Sequence, residues 1–160
     1  MSSHANLAVD CRTLDLDQID LIRPVWEKLN AHHAGISACF SGELRVRCFK
    51  ARKSLLLASG KRFQILIVTF PGSENAKAYC VASLTSSGEG EIDSIFVEEK
   101  HRGSGIGADL VRRALAWLDE CGATTKSVVV LFENIEVTKF YARFGFHPRN
   151  ATLIHKKEST

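Results

Sequence analysis

A chain of 160 residues suits one domain that buries about two thirds of its unfolded surface, and its 45% hydrophobic and 24% charged residues are ordinary for a globular protein. The formal net charge of +3 is too small to argue for a nucleic-acid surface, and no run approaches the roughly 20 apolar residues of a membrane span. Five cysteines (Cys11, Cys39, Cys48, Cys80, Cys121), odd in number and widely spaced, match neither a disulfide framework nor a zinc spacing, so reduced structural thiols are expected.

The opening MSSHANLAVD has no basic region followed by an apolar core, which predicts a cytoplasmic location. Asn6 to Arg12 alternates weakly and reads as an edge strand. Asp15 and Gln18 stand at capping-box spacing ahead of Ile19, Ile22, Val25, Trp26 and Leu29, an amphipathic helix in which Pro24 predicts a kink or a fresh helical start. Ser37 to Ala58 reads as mostly helical, with Leu55, Leu56 and Leu57 its strongest apolar block. Arg62 to Phe70 and Lys77 to Thr85 are β-rich runs closed by Pro71-Gly72 and by Ser86-Ser87-Gly88. These short connections predict an antiparallel meander continuing through Glu91 to Val97. A helix then keeps Ile106, Leu110, Ala114, Leu118 and Cys121 on one stripe, widened by Val111, Leu115 and Trp117, and ends at Gly122. Ser127 to Phe132 reads as a buried strand parallel to the one before that helix. A last helix, Ile135 to Phe144, stops at Gly145, and Thr152 to His155 is a candidate final strand. No repeat, low-complexity tract or linker divides residues 1–160, so one domain is expected.

The most informative stretch is Ile92 to Leu110, IDSIFVEEKHRGSGIGADL, which runs an apolar strand through a charged bend into a glycine-studded helix start. Such a start presents bare N–H groups and the positive end of the helix dipole to an anion, and the ligand it suggests carries phosphates. Gly103, Gly105 and Ala108 fit the dinucleotide pattern G-x-G-x-x-A, with Glu133 as a ribose-binding carboxylate, but Glu98 to Arg102 intervene where that pattern needs the strand to enter the first glycine. A nucleoside-triphosphatase loop needs a lysine followed by a hydroxyl residue, and none closes this loop. A turn that merely starts a helix needs one glycine, and each extra glycine weakens a helix by about 1 kcal/mol relative to alanine.

The spacing from Arg102 to Gly107 is R-x-x-G-x-G, which resembles the acyl-CoA signature of the GNAT superfamily of N-acyltransferases. Farther on, Asn134, Val137, Phe140, Tyr141, Gly145 and Phe146 stand as N-x-x-V-x-x-F-Y-x-x-x-G-F, which resembles the superfamily's second signature, with Val137 where a small residue is more usual. The resemblance covers residues 91 to 147. It implies a single-domain α/β fold with a mixed, mostly antiparallel sheet flanked by helices. It also implies transfer of an acetyl group from acetyl-CoA to an amine by direct transfer in a ternary complex, with no metal.

By the same resemblance, the N–H groups of Gly103, Ser104, Gly105, Ile106, Gly107 and Ala108 receive the pyrophosphate of coenzyme A, and Arg102 shapes the loop. The main chain of Ile95, Phe96 and Val97 pairs with the pantetheine arm, and Asn134 binds the cofactor or holds its segment. Tyr141 is the general acid, since a phenol of pKa about 10 is protonated at neutral pH. Glu91 and Asp93, two apart on their strand, share a face opposite Ile92, Ser94 and Phe96 by simple alternation, and Asp93 is favoured over Glu91 as the general base. Trp26, His32, His33 and Phe40 fall where the superfamily's first helices help form the acceptor site, and Lys100 and His101 where the 3′-phosphate would lie. The acceptor is read as a small-molecule amine. A protein N-terminus or lysine is the enzymatic alternative, a non-catalytic acyl-CoA-binding module the other, and a homodimer stays compatible with all three.

Overall fold

The computed structural model describes residues 8–157. Two compact units divide the chain, residues 1–129 and 130–160. The first opens with strand β1 (Asp10–Leu14) and a 3-10 turn over Leu16–Ile22, in which Asp15 and Gln18 make the anticipated capping box. Strand β1 lies later than the alternation suggested, and Asn6 and Leu7 lie outside the described residues. Helix α1 (Arg23–Ile36) is the fresh start that Pro24 foretold: proline occupies its first turn, where a missing N–H costs nothing. The helical stretch that follows is two helices, α2 (Ser41–Arg45) and α3 (Phe49–Ala58). Of the leucine block only Leu56 is buried, and Leu55 and Leu57 face solvent.

Strands β2 (Arg62–Thr69), β3 (Ala78–Leu84) and β4 (Glu89–Val97) form the expected meander. Helix α4 (Ile106–Glu120) crosses over to β5 (Thr125–Val128). The sheet order is β1-β2-β3-β4-β5, antiparallel throughout except for the parallel pair β4 and β5. The fold is therefore α/β with a mixed, mostly antiparallel sheet.

Alternation sends Ile65, Ile67, Tyr79 and Val81 to one face, where they join Ile19, Ile22, Val25, Trp26, Leu29, Phe49 and Leu56 in one core cluster. The opposite face carries Leu66, Val68, Cys80, Ala82 and Ile92 under α4, whose Ile106, Leu110, Val111, Ala114 and Leu118 are all buried. Burying each of the larger of these side chains stabilises the fold by about 1.5–3 kcal/mol. Among the described residues the five cysteines form no disulfide, with Cys80 buried and Cys39 and Cys48 exposed. Among the described residues no helix is long and apolar enough to cross a membrane.

Two expectations about the chain's last third fail. The run Ser127 to Phe132 is not a buried strand: β5 ends at Val128, and Val129 and Phe132 are largely exposed, so hydrophobicity there exceeds what the sheet buries. Thr152 to His155 forms no strand, having no ladder to join among the described residues. The second unit holds helix α5 (Ile135–Ala142), capped by the Asn134 side chain, with Gly145 in the left-handed conformation just beyond it.

Candidate acyl-donor and acid-base site

The glycine bend keeps its donors bare. Gly103 and Gly105 have φ of +76° and +87°, which side-chain-bearing residues rarely adopt, and a Cβ at either would project into open space. Gly105 caps α4 without any side-chain hydrogen bond. Among the described residues, the successive N–H groups from Gly103 to Ala108 donate to no backbone carbonyl. Arg102 is held otherwise: its Nε donates to the Val97 carbonyl at 2.9 Å and its guanidinium lies 5.3 Å from the Phe96 ring centroid. It therefore shapes the bend. The Ser104 hydroxyl donates to the His101 carbonyl, closing the bend on itself, and the His101 ring packs tilted against Phe70, centroids 4.4 Å apart.

Upstream, β4 is paired with β3 along its length, but with β5 only from Glu89 to Ile92. From Asp93 to Val97 its outer edge meets no strand among the described residues, leaving N–H and C=O groups for an extended ligand arm. A cleft of about 800 Å³ opens beside the end of this strand, lined by Lys28 and His32 of α1, Phe96, and Glu98, Glu99, Lys100 and Arg102 of the bend. That volume suits a small-molecule ligand.

Asp93 occupies a β-bulge. Val81 pairs with Ser94 and Ala82 with Ile92, so Asp93 is the extra residue of β4. The bulge breaks the alternation: Ser94 and Phe96 oppose Val81 and Tyr79 on the face of the main core cluster, where Glu91 opposes Ser83 and Asp93 also points. Glu91 and Asp93 do share a face, but only Ile92 lies opposite them, not Ser94 or Phe96.

On that face Arg52 of α3 stands 3.7 Å from Asp93 Oδ1, and Lys61 Nζ 3.6 Å from Glu91 Oε2. Only 6% of the Asp93 side chain is exposed. Burial raises its pKa, against the pull of the Ser83 hydroxyl and the charges of Arg52 and Lys61. The Ser83 hydroxyl is near enough to favour the carboxylate, yet among the described residues neither Ser83 Oγ nor Asp93 Oδ2 reaches full hydrogen-bond geometry with a partner. The same holds for the fully buried Tyr79 hydroxyl beside Ser94, whose pKa burial drives upward. A buried carboxylate with a raised pKa among under-satisfied hydroxyls is the profile of a proton acceptor.

At the other end of β4, Glu98 is nearly buried and bonds Lys28 Nζ. Burial favours its neutral form, but that bond and the charges of Lys28, Lys77 and Lys100 outweigh it and lower the pKa. His32 lies 6.5 Å from the Phe96 ring, and its pKa is lowered by burial and by Arg102. Arg52, Lys61 and Lys28 carry no signature spacing in the sequence; the packing of α3 and α1 on the sheet brings Arg52 to Asp93 and Lys28 to Glu98, and Lys61 reaches Glu91 from just ahead of β2.

Asn134 and Tyr141 stand at the two ends of α5. Asn134 Oδ1 accepts from the Val137 N–H at 3.2 Å, which makes it a helix cap. Tyr141 is buried, its ring packed edge-on against Phe140 and Phe146 at 5.2 and 5.4 Å. Among the described residues no group of His, Cys, Asp and Glu is arranged to hold a metal ion.

Residues 56–146 match the model of the acetyltransferase (GNAT) family. A curated relative, the uncharacterized N-acetyltransferase YobR of Bacillus subtilis (strain 168), is 33% identical over 79 residues, which are 45% of this chain and 32% of the relative. The match thus spans about a third of that protein's length. In fold, the chain resembles a tetramutant of the BH1408 protein from Bacillus halodurans, with a TM-score of 0.71 and 16% identity over 92% of this chain and 99% of that one. It also resembles the aminoglycoside N-acetyltransferase AAC(6')-Iy in complex with CoA, with a TM-score of 0.64 and 17% identity over 94% of this chain and 100% of that one.

Proposed function

The chain belongs to the acetyltransferase (GNAT) family, and from that premise we propose that it transfers the acetyl group of acetyl-CoA to a primary amine of a small molecule, by direct transfer in a ternary complex. Residues 1–160 act as one N-acetyltransferase domain. One observation carries the reading: the β4 edge left open beyond Ile92 leads straight into the bare N–H groups from Gly103 to Ala108. An extended arm ending in a pyrophosphate fits that sequence of donors, and two glycines leave open the space a phosphate would fill.

Acetyl-CoA supplies the activated thioester. The chain's own residues do the rest. Main-chain groups of Ile95, Phe96 and Val97 align the pantetheine arm, and an N–H among them polarises the carbonyl. Asp93, alone or through a water and with Glu91 behind it, takes a proton from the incoming ammonium so that the neutral amine attacks. Tyr141 gives a proton to the departing thiolate, and Asn134 holds the start of α5.

The test is thiol release from acetyl-CoA over a panel of amines, amino acids and peptides, with Tyr141→Phe alongside and coenzyme A affinity measured by calorimetry. Turnover on a small amine, slowed at least tenfold in the variant with affinity kept, is the expected result. Turnover confined to peptides moves the acceptor to protein, and binding without turnover on any acceptor makes the chain a binding module. No affinity for coenzyme A overturns the reading altogether.

A further inference from the structure

On the other side of α1 lies a second cleft, of about 490 Å³, between that helix, α2 and the start of α3. Its floor is the edge-on pair Trp26 and Phe49, and its walls carry Arg23, Arg45, Arg47 and Lys50 against the single carboxylate of Glu27. That surplus of three positive charges in one concavity is as large as the formal net charge of the whole chain. Arg23 is paired with Glu27 at 2.8 Å, and among the described residues the Arg45 side chain bonds only the Ser41 hydroxyl. Arg47 and Lys50 make no side-chain hydrogen bond or ion pair among the described residues.

The position of Lys50 sharpens the point. It sits in the first turn of α3, where the helix dipole is positive, with no acidic residue in that turn and no side-chain cap from Cys48. Cations belong at the other end of a helix; Arg47 and Lys50 gathered at this one repel the dipole and each other, and a bound anion removes both conflicts. Three guanidinium groups favour a planar or tetrahedral oxyanion that they can grip in pairs.

We infer that this cleft binds a small molecule carrying an oxyanion, a carboxylate or a phosphate, at a site separate from the acyl-donor cleft. The two clefts share no lining residue. Asn30 lines one and His32 the other, and two residues are about 200° apart around a helix, so they open on opposite sides of α1. The volume holds a metabolite and is too small for a folded partner.

The test is ¹⁵N–¹H NMR titration of the full chain at constant ionic strength with two probes, glycerol 3-phosphate and succinate, each repeated with saturating coenzyme A. Saturable shifts at the Trp26 indole and the N–H groups from Arg47 to Ala51, with either probe and unaffected by coenzyme A, are expected. The probe that saturates identifies phosphate or carboxylate as the recognised group. Arg45 and Arg47 are exposed, so the double variant Arg45→Gln, Arg47→Gln keeps the fold and should weaken binding at least tenfold. Shifts that never saturate, that persist in the double variant, or that coenzyme A abolishes overturn the inference.

Discussion

The Asp93 carboxylate is enclosed on the core face of β4 and, among the described residues, Arg52 is its only ion pair and Oδ2 has no hydrogen-bond partner. Because burial raises its pKa above the ordinary carboxylate value, the folded chain holds this proton to higher pH than the unfolded chain. Stability contributed by the protonated group is therefore lost as pH rises through the folded value, and the ionised form needed for proton abstraction is the costly one. Asp93→Asn removes that cost while keeping the shape, so its Tm at pH 7 should rise as turnover falls by about 10²–10⁴-fold. Calorimetry and thiol release check both halves. Unchanged turnover would assign proton abstraction elsewhere, and a lower Tm would mean that Arg52 more than offsets the burial. That Asp93 and Glu91 share a face was legible from their spacing. That Ser94 and Phe96 join them was not, because a bulge is a mismatch in length between two strands and leaves no trace in either alone.

Elements legible in the sequence are those whose own side chains decide them. β-Branched runs closed by Pro71-Gly72 and Ser86-Ser87-Gly88 read directly as β2 and β3, and Pro24 as the start of α1. Where burial depends on a neighbour the pattern misleads: Leu55 and Leu57 are as apolar as Leu56, yet only one side of α3 is covered, and Val129 to Phe132 outruns β5. Two glycines on either side of the β4–α4 connection do different work, and substitution separates them. Gly90 lies under α4, where a Cβ would come within 2.8 Å of Leu118 Cδ2 and 3.0 Å of the Thr125 carbonyl oxygen. Gly90→Ala should lower stability by about 1–3 kcal/mol through overpacking and leave coenzyme A affinity intact. Gly105 meets nothing but has φ +87°, so Gly105→Ala should lose only about 1–2 kcal/mol of stability while weakening coenzyme A at least tenfold, its methyl filling the ligand's space. Denaturant unfolding paired with calorimetric titration reads both variants. Equal affinity losses in the two would show that the bend's openness is not what binds the ligand.

Across the whole molecule, the groups with shifted pKa values pull stability in opposite directions as acid is added. Asp93 gains its proton more readily folded than unfolded, so acidification favours the fold at that residue. Glu98 is the reverse: its lowered pKa contributes stability above the ordinary carboxylate value of 4.5, and this is lost as pH falls below it. Glu98, its pKa lowered from 4.5, does not act near pH 6. His33 does, because burial, then His32, then Arg47 push its pKa from 6.5 down to about 4. Between those values the unfolded chain binds a proton at this ring that the folded chain refuses, so stability falls as pH drops from 6.5 toward 4. His32 adds to the same slope, while Cys80, pushed up to about 12 by burial, stays a neutral thiol throughout. With allowance for solvent screening of a partly exposed ring, His33 should cost on the order of 1 kcal/mol by pH 5. His33→Gln cannot take up that proton, so its Tm should fall less from pH 6.5 to 5 than that of the unaltered chain, His32 accounting for the remaining decline, and the two should fall together below pH 4.5 as Glu98 titrates. Parallel decline from pH 6.5 onward would place the acid-sensitive group elsewhere, with His32 the next to replace because it faces Arg102 in the cleft beside β4.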